Sequence, residues 1–500
     1  MKKTRPNLLL ITTDQQRWDH LGVEGLRGID TPNLDRLARE GTHFHRAYTC
    51  APLCTPARVS LLTGQYPSRH GAYSLGVTLR PFPERTLATQ LSAAGYRTGL
   101  FGKTHFVCRK DEAAQAAGFP NPPPSFFRDH TGPYLGFDEV KLSSGHTTMT
   151  VPEMHYRTWL EEQGVDASPW FPAMRGGHDP EECGPWNIPP EYHDTAWVAG
   201  NTNDFITRHR DEPWFCWASF QDPHEPFVCP EPWWSRVRMD EVETYEGYRP
   251  GEFDDKPFFY SVDSKIWEER GWPEFEDGHG VPCAWPRAKL TERARAALQA
   301  TLGMVGFIDD RVGAMLATLE ETGQLENTLV VFTSDHGELH GHHGIWHKGL
   351  HAYEDCQRVP LLIRAPDCAP RGAVQARANL VDLPRTLLAA AGLEAPAGTQ
   401  GHDLGPVLRG ETDRVCEATF IESHVTPRVY QTTMVTADHK LVLYRDLDDG
   451  ELYDLNADPD QYRNLWALPE YADLKSALLH QYAREMMKRE GVHAPRETFA

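Results

Sequence analysis

The feature that most constrains the fold is a series of short apolar runs, each followed by a polar residue able to do chemistry. Leu8–Thr13 runs into Asp14, and Tyr96–Phe101 is followed by Lys103 and His105. Trp214–Phe220 leads to His224, and Thr328–Thr333 to Asp335 and His336. A fifth run is Pro360–Arg364, and helical patterns separate the runs at Asn33–Glu40, Leu87–Ala94 and Ala294–Thr322. Strands apolar on both faces and alternating with helices predict an α/β fold around a large, mostly parallel sheet flanked by helices. In such sheets ligands bind beyond the carboxyl ends of the strands. Four strand ends would therefore deliver Asp, Lys, His and Asp-His to one edge.

Two stretches, 107–195 and 225–290, follow no period. Of 14 tryptophans, 11 fall between residues 151 and 290, so these segments either line an aromatic pocket or are pinned to the core. Past residue 410 the pattern changes. Thr432–Val435 and Lys440–Tyr444 read as antiparallel strands, Gly450–Leu455 follows a turn, and Leu474–Lys488 reads as an amphipathic helix. The expected division is a catalytic domain over 1–410 and a small α+β subdomain over 411–500.

Charge excludes one class of partner. Lys and Arg number 50 against 71 Asp and Glu, a net −21, so a basic face for nucleic-acid phosphates is not expected. No apolar run reaches about 18 residues, so no membrane-spanning helix is expected. Met1-Lys2-Lys3 and the following apolar run have the flavour of a secretory leader. The run is too short and ends in Asp14-Gln15-Gln16-Arg17, which predicts a first strand and a cytoplasmic chain. Ten scattered cysteines without a CxxC pair argue against a disulfide scaffold or a zinc site.

Asp14, Asp335 and His336 offer oxygen and nitrogen donors for a divalent cation, and Gln15 adds an amide oxygen. Each residue also has a plainer reading, as a strand-end turn or a helix cap. Cys54-Thr55-Pro56-Ala57-Arg58 places a proline in a helix's first turn, where a missing N–H costs nothing. Cys54 at that terminus would be a reactive thiol with Arg58 one turn on, or else a buried cysteine capping a core helix.

Together these segments resemble the sulfatase family of the alkaline phosphatase superfamily. Its signature is matched by Cys54-Thr55-Pro56-Ala57-Arg58 with Leu61-Leu62-Thr63-Gly64. Asn7–Asp14, Thr31-Pro32-Asn33-Leu34-Asp35, Gly102-Lys103-Thr104-His105, Phe332–Gly337 and Leu452-Tyr453-Asp454-Leu455 also look like the family. The resemblance implies a sulfuric ester hydrolase in which a formylglycine-generating enzyme oxidises Cys54 to formylglycine. One hydroxyl of the hydrated aldehyde attacks sulfur and the alcohol leaves. The second hydroxyl then expels sulfate. It further implies one divalent cation on Asp14, Gln15, Asp335, His336 and residue 54. Arg58, Lys103 and Lys348 would supply fixed positive charge. His224 would be the general acid, assisted by Lys348, and His105 the base for sulfate release.

Two departures from the family pattern matter. Gln15 stands where many sulfatases have a second Asp, and His336 where many have Asn. Both look like the branch that holds phosphonate monoester hydrolases. They leave the cation as Ca²⁺ or Mn²⁺ and the substrate as an aryl or glycan sulfate, with a phosphonate monoester or phosphodiester as the alternative. His340, His342, His343 and His347 keep open a two-metal phosphatase or nucleotide pyrophosphatase using Thr55. A non-catalytic binding module is the remaining class. A homo-oligomer is expected only because dimers are common.

Overall fold

The computed structural model describes residues 5–79, 82–118, 120–144, 152–171, 174, 183–243, 247–260, 292–426 and 429–489. Ten strands precede residue 380. They are β1 (Asn7–Thr13), β2 (Thr42–Tyr48), β3 (Arg97–Lys103), β4 (Glu139–Ser143), β5 (Cys183–Trp186), β6 (Trp214–Ser219), β7 (Phe227–Pro230), β8 (Thr328–Ser334), β9 (Leu361–Arg364) and β10 (Gly372–Asn379). Eight of them form one sheet in the order β10-β2-β9-β8-β1-β6-β3-β4, and β5 pairs with β7 apart from it. The large sheet is parallel except for β9, which runs antiparallel to β2 and β8.

Strand alternation explains the two cores. Leu8 and Leu10 of β1 join one buried cluster, with Phe215, Trp217, Leu329 and Val331. Leu9 and Ile11 join another on the opposite face, with Cys216, Ala218, Val330 and Phe332. Each fully buried Leu, Ile, Val or Phe contributes roughly 1.5–3 kcal/mol. Helices Cys54–Thr63 and Leu87–Ala93 cover the first face, and Pro32–Glu40, Asp194–Arg208 and Glu292–Glu321 cover the second.

The helix Pro32–Glu40 has no cap from its own N-terminal residue, Thr31. Asp309 supplies one from the long helix, accepting from Leu34 N at 2.8 Å and Asn33 N at 3.1 Å. Orphan N–H groups at a helix start need such acceptors.

Some expectations change. β2 reads Thr-His-Phe-His-Arg-Ala-Tyr, with no apolar run, yet it is an interior strand. Its place between β10 and β9 decides its conformation, not its own pattern. The stretch 107–195 is not irregular throughout; it holds β4, β5 and helices such as Met154–Glu162. Trp186, Trp197, Trp214, Trp217 and Trp233 are buried, and Trp159, Trp170 and Trp234 pack on the same clusters. The described tryptophans therefore pin segments to the core. Trp267, Trp272 and Trp285 lie outside the described residues.

After residue 410 come β11 (Thr419–Thr426), β12 (Val429–Val435), β13 (His439–Tyr444) and β14 (Gly450–Asp454), an antiparallel sheet in that order. Helix Ala472–Lys488 follows. Phe420, Met434, Leu441 and Leu452 join the apolar cluster on the first face of the large sheet. The nine described cysteines are free thiols. Among the described residues no helix is long and apolar enough to cross a membrane.

Candidate active site

Sheet register assembles the site. Thr13 of β1 lies beside Ser334 of β8, so Asp14 and Asp335 leave the sheet as neighbours. Asp14 N donates to Asp222 O at 3.2 Å and Asp335 N to Thr13 O at 3.2 Å, which holds both turns. Gly102 precedes Lys103 with φ 104°, and a Cβ there would sit 1.9 Å from Ser219 O. Gly337 follows His336, and its Cβ would meet Asp355 O at 1.9 Å. Only glycine permits these two close approaches.

Cys54 opens helix Cys54–Thr63, all ten residues of which are buried. Leu53 enters extended, and Gly64 ends the helix in the left-handed region. The thiol sits at the positive end of the helix dipole. Its Sγ lies 3.6 Å from Asp14 Oδ1 and 3.3 Å from His336 Nε2. Donor atoms of Asp14, Cys54, Asp335 and His336 all fall within 4.8 Å of one another.

Arg58, one turn into the helix and fully buried, ties the two carboxylates together. Its Nε donates to Asp335 Oδ2 at 2.8 Å, Nη2 to Asp14 Oδ2 at 3.0 Å and Nη1 to Ser219 Oγ at 2.7 Å. Lys103 Nζ lies 2.6 Å from Asp14 Oδ2. Burial opposes ionisation of Asp14, but Lys103, His224, Arg58 and Lys348 outweigh it and hold its carboxyl well below the usual range. Burial and the charge of Asp14 push Asp335 the other way, upward. A divalent cation between the two buried acids would relieve that repulsion.

Burial and Asp14 would raise the Cys54 thiol, but Lys348, Lys103 and His336 bring it well below the ordinary thiol value. Burial works against charge on His336, and Asp335 chiefly overcomes it. His336 Nδ1 lies 3.0 Å from Gly337 O. A proton on Nδ1 leaves Nε2 facing the cluster as a ligand. Burial also disfavours charge on Lys348, but Cys54, Glu225, Asp14 and Asp335 outweigh it and raise its pKa.

Gln15 is 1% exposed with φ 68°, and its Oε1 accepts from Lys348 Nζ. His224 Nε2 is 4.0 Å from Asp14 Oδ1, while Nδ1 lies 2.7 Å from Glu225 O. Its side chain is 20% exposed, which places it at the open edge of the group. The structure thus brings together Asp14, Gln15, Cys54, Arg58, Lys103, His224, Asp335, His336 and Lys348. His105 stands apart in its bonding: it is half-buried at the end of β3, φ 48°, and its Nδ1 is buried without a hydrogen-bond partner.

Sequence reasoning missed two neighbours, Ser219 and Glu225, and gave Glu338 no role of its own. Ser219 Oγ accepts from Arg58 and donates to Lys103 O at 2.6 Å. Glu225 and Glu338 flank the Gln15 amide. Glu225 adjoins His224, which is the one signal that could have found it, and Glu338 closes the segment Asp335-His336-Gly337-Glu338 that the sequence does single out. Of the histidine run, His342 and His343 group with Asp355, and His347 with Glu225 and Glu338. His340 packs against Phe227 and Trp346. Among the described residues none of the four joins the Asp14 and Asp335 group.

Comparison with known proteins agrees with this arrangement. The sulfatase family model matches residues 6–393, and the model for the C-terminal part of N-sulphoglucosamine sulphohydrolase matches 341–488. An arylsulfatase of Clostridium perfringens is 29% identical over 504 residues, covering 97% of this chain and 95% of that protein. An N-acetylglucosamine-6-O-sulfatase of Bacteroides thetaiotaomicron is 27% identical over 521 residues, covering 97% and 87%. The solved phosphonate monoester hydrolase SpPMH of Silicibacter pomeroyi superposes with TM-score 0.77 at 26% identity, covering 97% of this chain and 96% of that one. A model that spans most of the chain, over the same strand ends that build the buried site, settles the family: the chain belongs to the sulfatases of the alkaline phosphatase superfamily, hydrolases of sulfate esters.

Proposed function

We propose that the chain hydrolyses an aryl or glycan sulfate monoester through a formylglycine made from Cys54, with one divalent cation on Asp14, Gln15, residue 54, Asp335 and His336. The observation that carries this reading is the fully buried group of Cys54, Asp14, Asp335 and His336 ringed by Arg58, Lys103 and Lys348. The donor set fits a cation: two carboxylates that repel each other, an imidazole nitrogen and an amide oxygen. The imidazole favours Mn²⁺ over Ca²⁺. When bound, the cation neutralises ester oxygens and lowers the proton affinity of the nucleophile. The hydrated aldehyde supplies a hydroxyl nucleophile and a second hydroxyl for sulfate release.

The chain's own residues do the rest. Arg58 holds both carboxylates in place. Lys103 and Lys348 keep positive charge beside the position of the ester group. Nδ1 of His224 donates to the Glu225 carbonyl, so Nε2 is the atom that protonates the departing alcohol. His105, with its unpartnered Nδ1, is the base for sulfate release. A formylglycine-generating enzyme is the maturation partner.

A second reading keeps the nucleophile and changes the ester to a phosphonate monoester. Gln15 and His336 favour it, as does the overlay on a phosphonate monoester hydrolase. The two-metal reading stays behind these two: among the described residues none of the four histidines joins the Asp14 and Asp335 group, and His347 meets Glu225 and Glu338 beside Gln15. The test is mass spectrometry of the tryptic peptide Ala47–Arg58, made with a formylglycine-generating enzyme present. An aldehyde at residue 54 is expected, with faster turnover of 4-nitrophenyl sulfate than of a 4-nitrophenyl phosphonate. Full hydrolysis by protein with an intact thiol overturns the reading, and the reverse substrate order favours the second one.

A further inference from the structure

The neighbours of Gln15 decide which end of its carboxamide faces the cluster. Its Nε2 lies 2.6 Å from Glu225 Oε2 and 2.5 Å from Glu338 Oε2. Both amide hydrogens are thus taken by carboxylates. Its Oε1 accepts from the Lys348 ammonium. Turned over, the amide would set oxygen against two carboxylates and nitrogen against an ammonium, so one orientation alone satisfies every partner.

Glu338 is itself held rigidly. It is fully buried. Its Oε1 accepts from His340 N at 3.1 Å and His347 N at 2.5 Å, which leaves only Oε2 for Gln15. The Gln15 backbone sits in the left-handed region, with its N–H donating to Asp335 Oδ1 at 3.1 Å. A non-glycine residue stays there only when its surroundings over-determine it.

We propose that Glu338 and Glu225 are positioning residues that clamp the Gln15 carboxamide so that its oxygen is presented to the cation. The inference rests on the cation reading above. It also accounts for glutamine beside Asp14: an acid at position 15 would bring a third carboxylate against Glu225 and Glu338 and give them no N–H.

The test is E338Q. The substituted carboxamide has one oxygen where the Glu338 carboxylate uses two. The backbone N–H groups of residues 340 and 347 claim that oxygen, and the new NH₂ then meets Gln15 Nε2 donor to donor. Gln15 keeps its bonds to Glu225 and Lys348 but loses its hold on position 338, so its oxygen is no longer fixed toward the cation. Q15E in the same variant accepts from the new NH₂ at position 338 and restores an oxygen, while Glu225, 21% exposed, turns to water.

Mn²⁺ affinity of the matured enzyme is measured by competition with a chelating dye, with D335N as the control for the site. Misorienting a ligand through its supporting shell costs about 10–100-fold in metal affinity. E338Q is expected to fall within that range, with Q15E/E338Q recovering most of the loss. E225Q, at a partly exposed position where folding is not at stake, is expected near the lower end. Affinity within twofold of wild type in both E338Q and E225Q overturns the clamp, as does a double variant no better than E338Q. If D335N leaves Mn²⁺ binding unchanged, the cation reading itself fails and the clamp with it.

Discussion

Replacing Arg58 by lysine tests the electrostatic core of the site. The guanidinium makes four hydrogen bonds, to Asp335 at 2.8 Å, Asp14 at 3.0 Å, Ser219 at 2.7 Å and the Lys103 carbonyl at 3.3 Å. A lysine ammonium at the same position reaches one carboxylate, since it lacks the planar fork. Three bonds are lost, one of them to a carboxylate. At about 1.5–3 kcal/mol for the carboxylate bond and about 0.5–1.5 kcal/mol for each of the other two, the loss is roughly 3–5 kcal/mol, the range for breaking a buried ion pair. Both carboxylates are also proposed cation ligands, so a bound cation should engage the carboxylate oxygens that lysine leaves without a donor. R58K is therefore expected to lose most stability in chelator and clearly less with saturating Mn²⁺. The assay is urea unfolding of wild type and R58K under both conditions, with kcat/KM read alongside. A loss below about 1 kcal/mol in chelator, the scale of an exposed pair, would refute the buried-bridge argument. An equal loss with and without Mn²⁺ would refute the shared role of the carboxylates.

H224A should slow sulfate esters of poor leaving groups by about 10²–10⁴-fold while barely touching 4-nitrophenyl sulfate; equal losses on both would remove the general-acid role. G337A should fail to give stable protein, because its methyl would lie 1.9 Å from the Asp355 carbonyl; a wild-type melting point would contradict that packing. Burial raises the Asp309 carboxyl from 3.8 to about 6. Its contribution is therefore fully present below pH 3.8 and lost as pH rises through 6, by up to about 3 kcal/mol. D309N, which keeps an oxygen for Leu34 N and Asn33 N, should flatten unfolding stability across that window, and an unchanged slope would sink the assignment.

The legible parts of this chain are those whose geometry is local. A strand that ends in Asp14 or Asp335-His336 puts those side chains at a sheet edge because the backbone can go nowhere else. Arg58 follows Cys54 by one helical turn, so their proximity is a property of the helix. The glycine after that helix and the proline within its first turn are equally local. What the sequence could not reveal depends on register between distant segments. The cap that Asp309 gives to Leu34 spans 275 residues. Strand β2 has no apolar run, and only its place between two neighbours makes it a strand. The tryptophans looked like pocket or anchor with equal right, and the sheet faces they pack against decide for anchor among the described residues. Gln15 is the sharpest case. Its side chain alone permits two orientations, and the choice is made by Glu225, 210 residues away, and Glu338, 323 away. A single residue's chemistry is written in its name, but the direction it points is set by partners that meet only when the sheet closes.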